Sequence, residues 1–252
     1  MKPRVMSLVL FTAMVGLLVA PVTVSFTAAS LSLLAVAIGS GAAGALNMWY
    51  ESDVDALMSR TCLRPIPTGK IKRKQALLFG IILSFISIAM LYLSSNLISA
   101  LLLAATISFY FFIYTIWLKR KTAQNIVIGG AAGALPPVIG WAVAMNNISL
   151  EPIVMFLIIF IWTPSHFWAL SLYKFKDYEK AKIPMLPITA GVEKTKLNIL
   201  VYAFLMLPVV IAPFFIGFGS VIYLVLSLGM TTYYIRLCYC LLYTSSEPTR
   251  PY

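Results

Sequence analysis

Three oxygen-bearing side chains recur at helical spacing in the segment Asn47-Met-Trp-Tyr-Glu51-Ser-Asp53-Val-Asp55. Asn47, Glu51 and Asp55 stand at i, i+4 and i+8, which on a helix places them within an arc of roughly 80°. Asp53 falls on a different face. Carboxylates packed on one face repel one another, and a cation is the natural compensation. Hard oxygen donors at this loose spacing suit Mg²⁺, which keeps several waters and shares phosphate oxygens with a substrate. Arg60 and Arg64 follow the carboxylates. A metal cluster beside an arginine pair makes a chemically sensible diphosphate site, in which the metal bridges phosphate oxygens and arginine donates bidentate hydrogen bonds.

A second cluster reads Tyr173-Lys174-Phe-Lys-Asp177-Tyr178-Glu179-Lys-Ala-Lys182-Ile-Pro184-Met-Leu-Pro187. It again mixes acidic, basic and aromatic groups, and it is expected to face the first cluster across one cavity. His166 is the one histidine of the chain. It lies inside an apolar run, where an imidazole needs either a hydrogen-bonding partner or a ligand. Pro164 and the pair Pro136-Pro137 are expected to kink their helices and free backbone carbonyls, and broken helices line cavities rather than face lipid. Asn125 is then a polar group for such a cavity. Tyr110 and Tyr114 offer aromatic faces that stabilise a cation, with plain helix packing as the alternative.

The elements that must position these groups are apolar. Of 252 residues, 61% are hydrophobic and 11% charged, against about 25% charged in an ordinary soluble domain. Mean hydropathy is +0.93. This excludes a soluble globular enzyme, a disordered chain and a disulfide scaffold. Apolar runs at Val5–Val24, Thr27–Tyr50, Ala76–Leu93, Leu97–Leu118, Ala123–Met145, Pro152–Leu172, Leu197–Phe218 and Val221–Tyr243 predict eight spans. The net charge of +11 matters here by its location rather than its sum. All nineteen Lys and Arg, from Lys2 and Arg4 to Arg236 and Arg250, fall at one side, and the loops after spans one, three, five and seven hold none. The positive-inside rule makes that side cytoplasmic, N-terminus included. Nucleic acid is not an expected partner; the bilayer is.

At these residues the chain resembles a known family. NMWYESDVDALMSRTCLRPIPTG at 47–69 looks like the first signature of the UbiA superfamily of intramembrane prenyltransferases. AQNIVIGGAAGALPPVIGWA at 123–142 and WTPSHFWALSLYKFKDYEKAKIPMLP at 162–187 are similar to its protohaem IX farnesyltransferase branch, as is KPRVMSLVLFTAMVGLL at 2–18. The resemblance implies an all-α polytopic transmembrane helix bundle in a bacterial inner membrane. It implies transfer of a farnesyl group from farnesyl diphosphate to the 2-vinyl group of haem b, with addition of water, giving haem O. Haem A synthase and terminal-oxidase assembly are the partners it points to.

By the same resemblance Asn47, Glu51, Asp55 and Asp177 hold Mg²⁺, while Arg60, Arg64, Lys119 and Lys174 neutralise the diphosphate. His166, Asn125, Tyr114 and Tyr173 are expected to contact haem or line the cavity; for His166 the alternative is a structural hydrogen bond. Glu51 stands where the family has Asp, and Ala181 replaces the second acid of the wider superfamily's second motif. The family bundle has nine helices, against eight here. The ending Cys238 to Tyr252 departs from the pattern, so residues 1–237 are expected to form the prenyltransferase domain and 238–252 a non-native tail, with the ninth helix missing. A prenyltransferase for a quinone or chlorophyll precursor shares the metal site and stays open as a rival. A transporter is a second, though its polar groups belong near the membrane midplane.

Overall fold

The computed structural model describes residues 3–243. Lys2, Arg250 and residues 244–252 of the expected tail lie outside the described residues. Twelve α-helices and one π-helix account for the regular structure among the described residues, and no strand occurs there. They are α1 (Pro3–Leu18), α2 (Phe26–Tyr50), α3 (Ser52–Leu57), α4 (Arg73–Ser94), α5 (Leu97–Ser108), the π-helix (Phe109–Leu118), α6 (Asn125–Ala134) and α7 (Pro136–Met145). They continue as α8 (Leu150–Tyr173), α9 (Phe175–Lys180), α10 (Leu186–Ala190), α11 (Val192–Phe215) and α12 (Val221–Tyr243).

Seven helical stretches among the described residues are long and apolar enough to cross a membrane: 26–50, 73–94, 97–118, 125–145, 150–173, 192–215 and 221–243. They correspond to the second through eighth predicted spans. The first differs. The described helix covers Pro3–Leu18, 16 residues, or about 24 Å of rise against a hydrocarbon layer of about 30 Å. It stops because Pro21 cannot extend it. The Pro136-Pro137 pair breaks the fifth span into α6 and α7, as expected. Pro164, by contrast, sits inside an uninterrupted α8. Two hydroxyls beside it, Thr163 and Ser165, donate back to the carbonyls of Ile159 (2.7 Å) and Trp162 (3.2 Å).

Outward faces are apolar. Leu78, Ile82, Phe85 and Leu93 of α4 and Ile222, Val225 and Met230 of α12 are exposed, as lipid-facing side chains must be. Inside, helices approach through small residues. A methyl group on Gly16 would run into the Pro137 carbonyl, and one on Gly140 into the Ala13 carbonyl. This reciprocal contact locks α1 to α7, the way small residues let backbones meet where lipid leaves no hydrophobic drive between helices. A second cluster, Val54, Met58, Ile126, Tyr178, Ile183 and Met185, clamps the α9 region onto α3 and the start of α6. That clamp brings the two charged sequence clusters to one end of the bundle.

Gly140→Ala is expected to lower stability by about 1–3 kcal/mol through overpacking against backbone. Gly229→Ala on α12, where an added methyl meets nothing within 4 Å, is expected to be neutral or slightly stabilising. Thermal unfolding in detergent checks both; equal midpoints for the two variants would refute the lock.

Candidate active site

The site begins where α2 ends. Glu51 leaves helical geometry (φ −91°, ψ 13°) and separates α2 from α3. The i→i−4 ladder nevertheless runs through it: the Glu51 N–H donates to the Asn47 carbonyl (2.9 Å) and the Asp55 N–H to the Glu51 carbonyl (2.8 Å). Asn47, Glu51 and Asp55 therefore stack one turn apart, as their spacing predicts. All three are buried, with 0%, 2% and 3% of their surface exposed.

Each buried group has a partner. Lys119 Nζ lies 2.5 Å from Glu51 Oε2. Arg64 donates from one nitrogen to both Asp55 oxygens, at 2.6 and 2.8 Å. The Thr61 hydroxyl donates to the Asp55 carbonyl (2.9 Å) and pins the intervening loop. Asn47 Nδ2 donates to Thr115 Oγ1 (3.2 Å), and that hydroxyl donates in turn to the Tyr110 carbonyl (2.8 Å). A buried charge that loses its partner costs several kcal/mol, so each carboxylate holds its cation firmly until something replaces it.

The π-helix explains why Lys119 arrives at this place. Its hydrogen bonds reach back five residues, as from the Lys119 N–H to the Tyr114 carbonyl (3.0 Å). That winding takes more than four residues per turn, so residues four, five and nine apart share a face. In an α-helix, residues nine apart lie on opposite faces. The wider turn is what lets Tyr110, Tyr114, Thr115 and Lys119 all address α2. Tyr110 and Tyr114 stack at 5.3 Å, and Lys119 sits 5.8 Å from the Tyr114 ring centre. Gly129 of α6 makes room for the Tyr114 ring, which a methyl group there would strike. An apolar cavity of about 110 Å³ lies below, lined by Val9, Gly39, Ala43, Tyr110, Gly133 and Ile139 among others. Tyr110 belongs to both regions, since it also lies within electrostatic reach of Lys119, Glu51, Arg64 and Asp55.

The second cluster comes in over this end. Asp177 accepts a hydrogen bond from the Ser59 hydroxyl (2.7 Å). Tyr178 is buried, which pushes its phenol up, while the facing Arg60 and Lys119 pull it down and Glu51 and Asp177 push it up. It thus stands between the two clusters. Arg60 itself is exposed. Lys174 lies 4.6 Å over the ring of the exposed Tyr173, apart from the carboxylates. Asn125 is fully buried at the start of α6; its amide donates to the Thr122 carbonyl (2.5 Å) while its Oδ1 has no hydrogen-bond partner. His166 is exposed on α8 and stacks on Trp162. Asp53, on its other face, pairs with Arg120 at 2.7 and 2.9 Å. Among the described residues no three His, Cys, Asp or Glu side chains converge closely enough to hold a metal by themselves. Glu51 and Asp55 have the Asn47 amide as their third neighbour, and Asp177 is held apart by Ser59.

Residues that sequence reasoning missed are Thr115 and Ser59; Tyr178 is named within the second cluster but given no role. The run Phe109–Leu118 carries no signal for a π-helix, so the facing of Thr115 could not be read from it.

Residues 9–251 match the model of the UbiA prenyltransferase family. The chain belongs to that family. It is 68% identical over 239 residues to a protoheme IX farnesyltransferase of Pelagibacter ubique, a match covering 95% of this chain and 79% of that protein. It is 56% identical over 230 residues to one of Rhodopseudomonas palustris, covering 91% and 74%. In structure it resembles digeranylgeranylglyceryl phosphate synthase, with a TM-score of 0.78, 17% identity and coverage of 93% of this chain and 82% of that one. It also resembles a UbiA homologue from Archaeoglobus fulgidus bound to DMAPP and Mg²⁺, with a TM-score of 0.75, 18% identity and coverage of 94% and 84%. At such identities the structural likeness establishes the fold. As a UbiA-family prenyltransferase, the protein is an integral membrane enzyme built as an all-α bundle.

Thr115→Val takes the acceptor from Asn47 and the donor from the Tyr110 carbonyl. A loss of about 1–3 kcal/mol is expected, read by thermal unfolding; an unchanged midpoint would show that Thr115 does not organise the site. Asp53 supplies a pH test. Its hydrogen bond to Arg120 holds its carboxyl below the ordinary value of 3.8. The pair therefore stabilises fully above that value, and its contribution disappears as pH falls through the lowered native value. Both side chains are over a third exposed, so screening limits the effect to under about 1 kcal/mol. Arg120→Gln should lower the unfolding midpoint slightly at neutral pH and not at about pH 2; a deficit that persists in acid contradicts this account.

Proposed function

We propose that this enzyme transfers the farnesyl group of farnesyl diphosphate to the 2-vinyl group of haem b, with addition of water, giving haem O. The observation that carries the reading is the 68% identity, over nearly the whole chain, to a relative named protoheme IX farnesyltransferase. The site chemistry supports it: two buried carboxylates and two cations stand beside an apolar cavity of a membrane protein.

The donor set fits Mg²⁺. Asn47, Glu51 and Asp55 offer hard oxygens on successive turns, and Asp177 offers a further one from α9. Bound there with the substrate, Mg²⁺ would neutralise the diphosphate and make it a better leaving group. Lys119 and Arg64, now occupied by Glu51 and Asp55, then have phosphate oxygens as alternative partners. Arg60 and Lys174 add positive charge from the loops. The C1–O bond of the farnesyl chain breaks, and diphosphate leaves with the electron pair. The terminal vinyl carbon of haem bonds to C1, and the cation formed on the adjacent carbon takes water and releases a proton. Tyr110 and Tyr114 present ring faces to the allylic cation, and the apolar cavity takes part of the isoprenoid chain. The basic end of the bundle is cytoplasmic in this reading, by the positive-inside rule, with the bilayer a bacterial inner membrane. Haem A synthase and terminal-oxidase assembly are the downstream consumers of the product.

The test uses membranes carrying the full chain, haem b, farnesyl diphosphate and Mg²⁺, with chromatography and mass detection of haem O. Product is expected from the unaltered chain. It should fall at least about 100-fold in Asp55→Ala, in line with removal of a charge-stabilising group, and vanish with a chelator. Prenylation of a 4-hydroxybenzoate-type acid instead of haem would replace this reading with the quinone-precursor one.

A further inference from the structure

The run Lys70-Ile71-Lys72-Arg73-Lys74 takes no part in the site, and all five residues are exposed. No ion pair among the described residues involves any of them. Arg73 turns inward and donates to the Trp49 carbonyl at 3.4 Å. Lys70, Lys72 and Lys74 have no counter-ion among the described residues. The other basic segments differ. Lys119 and Arg120 are paired with Glu51 and Asp53, and the second cluster interleaves Asp177 and Glu179 with its lysines. Between Asp55 and Glu151 the chain holds no acid at all. Orientation in the membrane asks only that such charges share one side, not that they stand unpaired. These cations repel one another, and those that open α4 also meet the positive end of its dipole, with no acid in its first turn. Nothing in this part of the chain compensates them, so the matching anion comes from outside it.

The place of Lys74 on α4 identifies the source of that anion. α4 is long and apolar enough to cross the membrane. Its 22 residues rise about 33 Å against a hydrocarbon layer of about 30 Å, so its second residue, Lys74, stands at the boundary. Leu78, Ile81 and Phe85 are exposed on α4 and form its lipid-facing stripe. At about 100° per residue, Lys74 falls with these three within an arc of about 60°. It therefore lies directly above side chains that acyl chains cover, at the level of their headgroups. Arg73 falls about 100° away, in keeping with its inward bond to Trp49. The residues before α4 are held at the same level. The Gly69 N–H donates to the Ile66 carbonyl (3.0 Å) and the Ile71 N–H to the Pro65 carbonyl (3.1 Å). Gly69 takes the left-handed φ of 76° at this turn. The closed turn keeps Lys70 and Lys72 at the margin that Lys74 marks.

We propose that Lys70, Lys72 and Lys74 bind the headgroups of anionic phospholipids at the membrane margin of α4. The Lys74 stem lies along the lipid-facing stripe and its ammonium reaches the headgroup phosphate. Lys70 and Lys72 add charge, and Ile71 between them enters the interface. The same loop carries Arg64, so bound lipid steadies the segment that meets Asp55.

Native mass spectrometry of the purified full chain in detergent tests this, with phosphatidylglycerol and phosphatidylcholine of the same acyl chains offered in equal amounts. The unaltered chain should retain phosphatidylglycerol at least about tenfold in preference, in line with several basic residues near a headgroup. The preference should shrink as ammonium acetate is raised. Lys70→Gln, Lys72→Gln and Lys74→Gln combined should abolish it. Lys74→Gln alone, at an exposed helix position that suits either residue, should reduce it about fivefold and decides the matter if the triple variant does not fold. Lys176→Gln, Lys180→Gln and Lys182→Gln combined, which remove the same charge from the second cluster, should leave it unchanged. The proposal is overturned if the unaltered chain shows no preference, or if the preference survives in Lys74→Gln and in the first triple variant. Equal loss in the two triple variants also overturns it, since net charge alone then accounts for the effect. Pyrophosphate with Mg²⁺, at the concentration of the lipid, should not displace phosphatidylglycerol; displacement would assign the patch to a diphosphate and reject the lipid.

Discussion

Two carboxylates buried at the edge of a membrane protein must be matched by two cations, and the structure is arranged around that requirement. Glu51 and Asp55 lie one helical turn apart with almost no exposed surface. Left unpaired at this depth they would protonate or pull the helix end out toward water. Lys119 comes from the next span but one, and Arg64 from the loop that follows the carboxylates. Meeting the charge of Glu51 draws the π-helix against α2; meeting that of Asp55 folds the loop after α3 back on itself. The same cations that stabilise the resting site are the groups proposed to receive the diphosphate. Buried ion pairs contribute little net stability after desolvation, so this arrangement is better understood as storage of positive charge at a chosen place.

The π-helix is the second device. A ten-residue run with i→i−5 bonding is unusual, and short π segments occur frequently at functional sites. Here its effect is a phase change. Thr115 orients the Asn47 amide, Lys119 reaches Glu51, and Tyr110 and Tyr114 turn toward the boundary between charged cluster and apolar cavity. Normal α-helical winding would divide these side chains between two faces. Glycine on the facing helix is required for the same reason, since the Tyr114 ring fills the space that any larger residue at 129 would need.

Around these two devices the fold is conventional for a lipid solvent. Small residues bring backbones together at the α1–α7 contact, large aliphatic residues point outward, and charges stay at the ends. The loop cluster of Val54, Met58, Tyr178 and Met185 is the exception, a small hydrophobic core outside the spans. It fastens α9 over the site, and so decides that Asp177 meets Ser59 instead of remaining on a solvated loop.

Much of this was legible in the sequence because it depends on one-dimensional quantities. Apolar run length predicts eight spans, of which seven are long enough to cross among the described residues while α1 stops earlier than expected; the Pro136-Pro137 pair sets where α6 gives way to α7, and four-residue spacing sets the stacking of Asn47, Glu51 and Asp55. The expectation that all the basic loops share one side likewise rests only on charge order along the chain. What spacing could not supply is phase and partnership between distant segments. The π winding has no compositional mark in Phe109–Leu118. That left the pairing of Glu51 with Lys119, across 68 positions, and of Asp177 with Ser59, across 118, beyond any local pattern. Sequence by itself determined that the polar chemistry sits at the end of an apolar bundle, since a membrane forbids unpaired charge elsewhere. Only the tertiary structure decided which cation meets which carboxylate, because that choice is made by the packing of helices that are neighbours in space and not along the chain.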